Sequence, residues 1–341
     1  MADEDPMMKQ ARFYTRDGEK ITCSLCAHRC RIDPGRTGIC GVRENRGGEL
    51  YTRVYGRVSA EQIDPVEKKP LFHFLPGSLT YSIATVGCNF RCLHCQNYSL
   101  SQSGVASQQR GYRYKDPAEI VETAAQHGCR SISYTYSEPT VFYEFAYDCA
   151  VLARERGLKN IFVSNGYMTQ EAAEQLAPLV DGINIDIKAF RDEFYVSVCG
   201  GRLQPVLDNV RLFSEAGALV EATTLVIPGL NDGEDELRDL AEFIGSVDPD
   251  IAWHVSAFRP TYKMTDRPPT TAATLVRTRD IGIEAGLNHV YIGNIPGGGG
   301  EDTRCASCGE TVIRRHGFSI SENLMEQGTC PFCGKPVAGV W

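Results

Sequence analysis

No run of about 18 apolar residues occurs anywhere in the 341-residue chain, so no membrane-spanning helix is expected. The opening residues Met1-Ala2-Asp3-Glu4-Asp5 are acidic and lack the apolar core of a secretion signal. Positive charge is in deficit: 35 lysines and arginines face 43 acidic residues, and the net charge of −8 argues against a dominant nucleic-acid surface. Four consecutive glycines, Gly297 to Gly300, lack the lysine-serine pair and following helix of a phosphate loop, and read as a flexible linker. These absences leave a cytoplasmic protein as the expectation. Hydrophobic content of 42% is ordinary for a globular chain, and the length suffices for a large core with one or two small appendages.

Cysteine is plentiful instead. There are 14, and without a secretion signal such a number points to metal or redox chemistry rather than disulfides. Eleven fall into three groups. The first is Cys23, Cys26, Cys30 and Cys40, with Gly35, Gly38 and Gly41 supplying turns that let the sulfurs converge. Zinc and an auxiliary iron–sulfur cluster both accept four thiolates, so both readings stand for this group, with His28 as a spare ligand. The last group, Cys305, Cys308, Cys330 and Cys333, forms two CxxC knuckles and resembles a zinc ribbon with a structural job, docking of a substrate being the second reading. The middle group, Cys88, Cys92 and Cys95, has the spacing CxxxCxxC directly after an apolar run. Three thiolates hold three irons of a four-iron cluster and leave the fourth open to a small molecule. Cys129, Cys149 and Cys199 are strays, expected as small buried hydrophobes, with a reactive thiol as the second reading for Cys199 in Val198-Cys199-Gly200-Gly201.

From residue 81 a period appears. Strand-like runs at 81–86, 131–136, 160–164, 182–187, 219–227 and 252–258, with a shorter one at 289–292, alternate with helical segments. Asp116-Pro117-Ala118-Glu119 is a capping box, and Asp232 is a candidate cap further on. Strand then helix, repeated six times, predicts parallel strands with right-handed crossovers: an α/β fold of partial (β/α)6 barrel type. The expected layout is an N-terminal cysteine module and lead-in at 1–75, a barrel core at 76–296, and a linker with the ribbon-like module at 297–341. Residues 50–80 read as an extended segment leading from the first module to the first strand, because Pro65, Pro70 and Pro76 oppose a long helix, with Lys68 and Lys69 on a solvated surface turn. In such folds chemistry gathers at the C-terminal ends of the strands. Ionisable residues in or beside the apolar strands, namely Glu138, Asp186, Lys188 and His254, are costly to bury unless paired or used.

Cys88, Cys92 and Cys95, placed after the first strand, resemble the motif of the radical S-adenosylmethionine (SAM) superfamily. The N-terminal Cys-x-Leu-Cys-x-His-x-Cys, the 64–70 segment, the stretches 87–97 and 134–140 and the C-terminal ribbon resemble the radical SAM member of the AmmeMemoRadiSam system, itself similar to pyruvate formate-lyase activating enzymes. The resemblance implies a [4Fe–4S] cluster on the three cysteines, SAM on its open iron, and hydrogen abstraction by a 5′-deoxyadenosyl radical. It further implies SAM contacts from Ser137 and Glu138 (amino group), Ser164 and Asn165 (ribose or methionine), Asp186 and Lys188 (ribose and carboxylate), Ile227 and His94 (adenine) and His254. Tyr136-Ser137 stand where many relatives carry glycines.

The partners implied are a flavodoxin- or ferredoxin-like electron donor and a protein substrate or Memo-type system partner. A tailoring enzyme for a small metabolite is the alternative. A non-catalytic metal-cysteine scaffold is a third reading, opposed by the strand-end carboxylates and lysine.

Overall fold

The computed structural model describes residues 8–103, 112–295 and 299–341. Its apolar runs become the strands of one eight-stranded sheet: β1 (Ala60–Pro65), β2 (Leu79–Ala84), β3 (Ser131–Tyr134), β4 (Lys159–Ser164), β5 (Gly182–Asp186), β6 (Leu219–Val226), β7 (Ala252–Ala257) and β8 (Val290–Gly293). The strands lie in sequence order across the sheet. From β2 to β8 every pairing is parallel, and only β1 runs antiparallel to its neighbour β2. Strands in sequence order put all the crossovers on the outer face, while the barrel interior closes the other, so both faces are buried and the strands read as continuous apolar runs rather than alternating ones. The result is a partial barrel, with a small cysteine-bearing module at each end of the chain.

Among the described residues, six helices of seven residues or more serve as crossovers: α1 (Pro117–Gln126), α2 (Tyr143–Glu155), α3 (Gln170–Leu176), α4 (Gln204–Glu215), α5 (Glu234–Val247) and α6 (Ala272–Glu284). Asp116 caps α1 as expected, its carboxylate accepting from the Ala118 amide at 2.9 Å. Asp232 does not cap α5. Gly233 holds the cap position, and Asp232 instead accepts from the Gly229 amide at 2.8 Å, closing the loop after β6.

Strand β1 falls in the stretch expected to be extended, but its place in the central sheet was not legible. Its sequence, Ala-Glu-Gln-Ile-Asp-Pro, is mostly polar and ends in proline, which an edge strand tolerates because one side needs no ladder partner. The central sheet therefore begins at Ala60, earlier than the expected boundary at 76. The turn that follows is not solvated either. Lys69 is buried, donates to Asp64 at 2.6 Å and lies over the Tyr136 ring. Burial pulls its pKa down to about 8 against the opposing pull of Asp64.

Residues 66–75 plug the N-terminal end of the barrel. Phe74 packs where a Cβ on Gly182, the first residue of β5, would meet it at 2.9 Å. The C-terminal module backs this plug. Its three-stranded antiparallel sheet is joined to it through Leu75 N to Val340 O at 2.6 Å, Val340 N to His73 O at 2.7 Å, and Arg315 Nη2 to Phe72 O at 2.7 Å. Gly297 and Gly298 of the expected linker lie outside the described residues, whereas the Gly300 carbonyl accepts from Ile292 N at 3.1 Å. At the opposite end, two small sheets covering Lys9–Gln10, Tyr14–Asp17, Lys20–Cys23, Arg31–Ile32, Arg43–Arg46 and Glu49–Thr52 carry the N-terminal module onto the loops after β3 and β4. Thr169 N donates to Leu25 O at 3.1 Å, and Ala27 N donates to Tyr167 O at 3.2 Å.

Candidate active site

The loop after β2 carries Cys88, Cys92 and Cys95. It is held from one side by a helical segment, Tyr195–Cys199, through Arg91 N to Cys199 O at 2.7 Å and Leu93 N to Val198 O at 3.0 Å. Gly201 makes this approach feasible, because a Cβ there would collide with the Phe90 ring. Cys199 is thereby brought against Cys92. The Cys199 thiol, with the Lys188 ammonium, lowers the Cys92 pKa against burial. Burial and then the charge of Glu138 push Cys88 up, and burial and then Cys92 push Cys95 up. Sequence reasoning did not assign Cys199 or Asn89 to this site. The Gly200-Gly201 pair was the available signal for the first.

Glu138 lies in the loop after β3, buried, where it caps the short helix Pro139–Phe142. Its Oε1 accepts from Thr140 N at 3.0 Å, Thr140 Oγ1 at 2.6 Å and Ser164 Oγ at 2.8 Å, while Oε2 accepts from Asn165 N at 2.8 Å. Burial raises its pKa, and these donors partly offset that. Oε2, with a single donor, is the oxygen with room for an ammonium group. Ser137 turns away from Glu138 and donates through Oγ to Thr85 O at 2.7 Å.

Asn165, at the end of β4, reaches the cysteine loop directly. Its Nδ2 donates to Asn89 Oδ1 at 2.7 Å and stands 3.9 Å from Cys88 Sγ. At the end of β5, Lys188 Nζ donates to Asp186 Oδ2 at 2.9 Å. Burial alone would weaken the lysine's charge, but Asp186 with Cys92 and Cys199 holds its pKa above the ordinary range. His94 lies within the field of the same lysine. Burial and then Lys188 take its pKa down to about 3, so the ring is neutral near pH 7.

Cys88, Cys92, Cys95, His94, Glu138, Ser164, Asn165, Asp186 and Lys188 thus converge at the C-terminal ends of β2 to β5. Ile227 is fully buried after β6, its amide bonded to Asn231 Oδ1 at 2.6 Å. His254 is not brought to the group: its Nε2 meets the buried Glu221 at 2.5 Å, and its ring packs between Phe72 and Tyr291. This places it against the plug rather than the cysteine loop.

Two observations bear on what these residues can hold. Asn89 Nδ2 and His94 Nδ1 are buried without a hydrogen-bond partner, and both belong to the cysteine loop. An unpaired buried donor or acceptor costs about 1–3 kcal/mol, so a ligand that pairs with it is favoured there. The second observation is the spread of the sulfurs. Among the described residues, the one set of three or more metal-type side chains whose donor atoms all lie within 4.8 Å is Cys305, Cys308, Cys330 and Cys333. Its Cys305–Cys333 and Cys308–Cys330 sulfurs are 3.6 and 3.7 Å apart. Two thiolates on one zinc at about 2.3 Å each stand about 3.8 Å apart in a tetrahedron, so this set matches a single ion. The three sulfurs at Cys88, Cys92 and Cys95 are not gathered so tightly, which suits three separate irons.

The sequence profile described as the Radical SAM superfamily matches residues 82–244. The uncharacterized protein MJ0808 of Methanocaldococcus jannaschii is 45% identical over 334 residues, which cover 97% of this chain and 99% of that one. The pyruvate formate-lyase-activating enzyme of Streptococcus mutans is 23% identical over 178 residues, covering 50% of this chain and 66% of that enzyme. Among solved structures, Streptococcus suis SuiB bound to S-adenosylmethionine shares the fold, with a TM-score of 0.51 at 15% identity over 68% of this chain and 53% of that one. Among the described residues no helix is long and apolar enough to cross a membrane.

Proposed function

The chain belongs to the radical SAM superfamily, and from that premise we propose that it cleaves SAM reductively at a [4Fe–4S] cluster held by Cys88, Cys92 and Cys95, acting as an activating-enzyme-like catalyst on a partner protein. Cys88, Cys92 and Cys95 would hold the cluster, which, with an electron from a flavodoxin- or ferredoxin-like donor, would supply the one-electron chemistry that cleaves the sulfonium C–S bond of SAM to methionine and a hydrogen-abstracting 5′-deoxyadenosyl radical. The observation that carries the reading is the pair of unpartnered buried atoms, Asn89 Nδ2 and His94 Nδ1, on the loop of the three thiols.

The chain's own residues take defined parts. Glu138 Oε2 offers its free acceptor capacity to the SAM ammonium, a charge-assisted pairing. Lys188, kept cationic beside Asp186, attracts the SAM carboxylate, and Asp186 is open enough to meet a ribose hydroxyl. The neutral His94 ring offers Nδ1 beside adenine. Ser164 and Asn165 brace Glu138 and the cysteine loop. The similarity to the Streptococcus mutans activating enzyme supports the protein-substrate reading. The sulfur spacing of the C-terminal four supports structural zinc, since that module backs the plug at the end of the barrel away from the thiols.

The test is direct. Anaerobically reconstituted protein with dithionite and SAM is expected to release 5′-deoxyadenosine, and Cys92→Ala to abolish the release. Undiminished release from that variant overturns the reading.

A further inference from the structure

The N-terminal cysteines take no part in the site above, yet they line one cavity. Cys23, Cys26, Cys30 and Cys40 form its walls together with Leu25, Ile32, Ile39, Val141, His28 and Arg43. Gly38 closes another side, at a position where a Cβ would stand 3.6 Å from the Cys30 sulfur. We propose that this cavity holds a second [4Fe–4S] cluster, ligated by Cys23, Cys26, Cys30 and Cys40, and not a zinc ion.

The first argument is spacing. Two thiolates sharing one zinc cannot be further apart than about 4.6 Å, twice the Zn–S bond. The C-terminal four lie within 4.8 Å of one another, two of the pairs at 3.6 and 3.7 Å, whereas among the described residues the N-terminal four belong to no set of three or more so gathered. They share this wider spread with Cys88, Cys92 and Cys95. Four thiolates around a cavity, each reaching its own iron, have that arrangement; four around one ion do not.

The second argument is an unspent donor. Arg43 is 1% exposed. Its Nη1 is committed to both oxygens of Glu144, at 2.9 and 3.1 Å, and its Nη2 to the Arg12 carbonyl. Its Nε has no partner, although the side chain lines the cavity. A four-iron cube with four thiolates carries net negative charge and exposes sulfur acceptors. A buried guanidinium with one N–H to spare suits both properties, and hydrogen bonds to cluster sulfurs are among the levers that set its potential.

Placement gives the site a relation to the first cluster. A Cβ on Gly87, the residue before Cys88, would stand 2.9 Å from the Cys40 carbonyl oxygen. The Arg91 side chain donates to the Ile39 carbonyl, and His28 Nε2 pairs with Asn89 O at 2.8 Å. The two cysteine loops are therefore neighbours in direct contact.

The experiment separates this proposal from the catalytic reading. The full chain with Cys88→Ala, Cys92→Ala and Cys95→Ala cannot hold the first cluster. After anaerobic reconstitution with iron and sulfide it is expected to retain about four irons and four sulfides, with about one zinc, and to give a low-temperature electron paramagnetic resonance signal on dithionite reduction. Adding Cys26→Ala and Cys40→Ala should remove the iron and the signal while leaving the zinc. As a check independent of those variants, the wild-type chain should bind about eight irons rather than four. Four irons in the wild type with two zincs, or an iron-free triple variant that is folded by circular dichroism, overturns the proposal.

Discussion

Glu138 Oε2 accepts the backbone amide of Asn165 at 2.8 Å, so the carboxylate following β3 fixes the start of the loop after β4. Asn165 in turn holds Asn89 of the cysteine loop at 2.7 Å. A negative charge buried at one strand end thus sets the position of the thiols at another.

The Glu138→Gln variant tests this chain of contacts. Glutamine keeps one acceptor oxygen, which the three donors at Oε1 will claim. Its NH2 group then faces the Asn165 amide, donor against donor. An unsatisfied buried donor costs about 1–3 kcal/mol, and each 1.4 kcal/mol is about tenfold. Release of 5′-deoxyadenosine should fall roughly fivefold to a hundredfold, while iron bound per chain stays unchanged. Release at the wild-type rate would exclude the bracing role.

Much of this site was legible because the strands β2 to β7 are apolar runs ending in polar residues, and a parallel sheet brings those ends to one rim. Glu138, Asn165, Asp186 and Lys188 follow from that rule alone. His254 satisfied the same pattern but lies near the start of β7, where Glu221 and the plug residue Phe72 engage it. The plug itself left little trace. Lys69 and Asp64 look like surface charges in the sequence, and only three-dimensional pairing makes their burial affordable. Cys199 reaches Cys92 from the end of the helical segment Tyr195–Cys199, and the Gly200-Gly201 pair that permits the approach is its one local trace.

His289 supplies a pH prediction. It is 4% exposed, and burial followed by the neighbouring His73 takes its pKa down to about 3. A depressed folded pKa means the unfolded chain binds the proton first, below the ordinary histidine value near 6.5. The stability conferred by neutral His289 is therefore complete above about pH 6.5 and is lost progressively as pH falls toward 3. At pH 5 the loss should be about 2 kcal/mol. Urea unfolding of His289→Asn at pH 7.5 and pH 5 should show a smaller drop between the two than the wild type does. Equal drops would show that His289 does not contribute.

Arg315 ties the C-terminal module to the barrel, and its removal should uncouple stability from chemistry. Its Nη2 donates to Phe72 O at 2.7 Å, Nη1 to Thr303 Oγ1 at 2.7 Å, its guanidinium lies over the Phe72 ring, and Glu67 is its buried counter-charge at 3.9 Å. Deleting one member of a buried ion pair typically costs about 3–5 kcal/mol, because the other is left uncompensated. Arg315→Ala should therefore lower the unfolding midpoint strongly, and chelating the zinc proposed for Cys305, Cys308, Cys330 and Cys333 should do the same by loosening the module that Arg315 docks. Both changes act at the N-terminal ends of the strands, whereas the thiols of Cys88, Cys92 and Cys95 stand at the other ends. At a temperature where the variant remains folded, its 5′-deoxyadenosine release per iron should match the wild type. A loss of release per iron in the folded variant would mean that the plug and the cysteine loop are coupled through the barrel interior, with the Glu221–His254 pair as the natural connection.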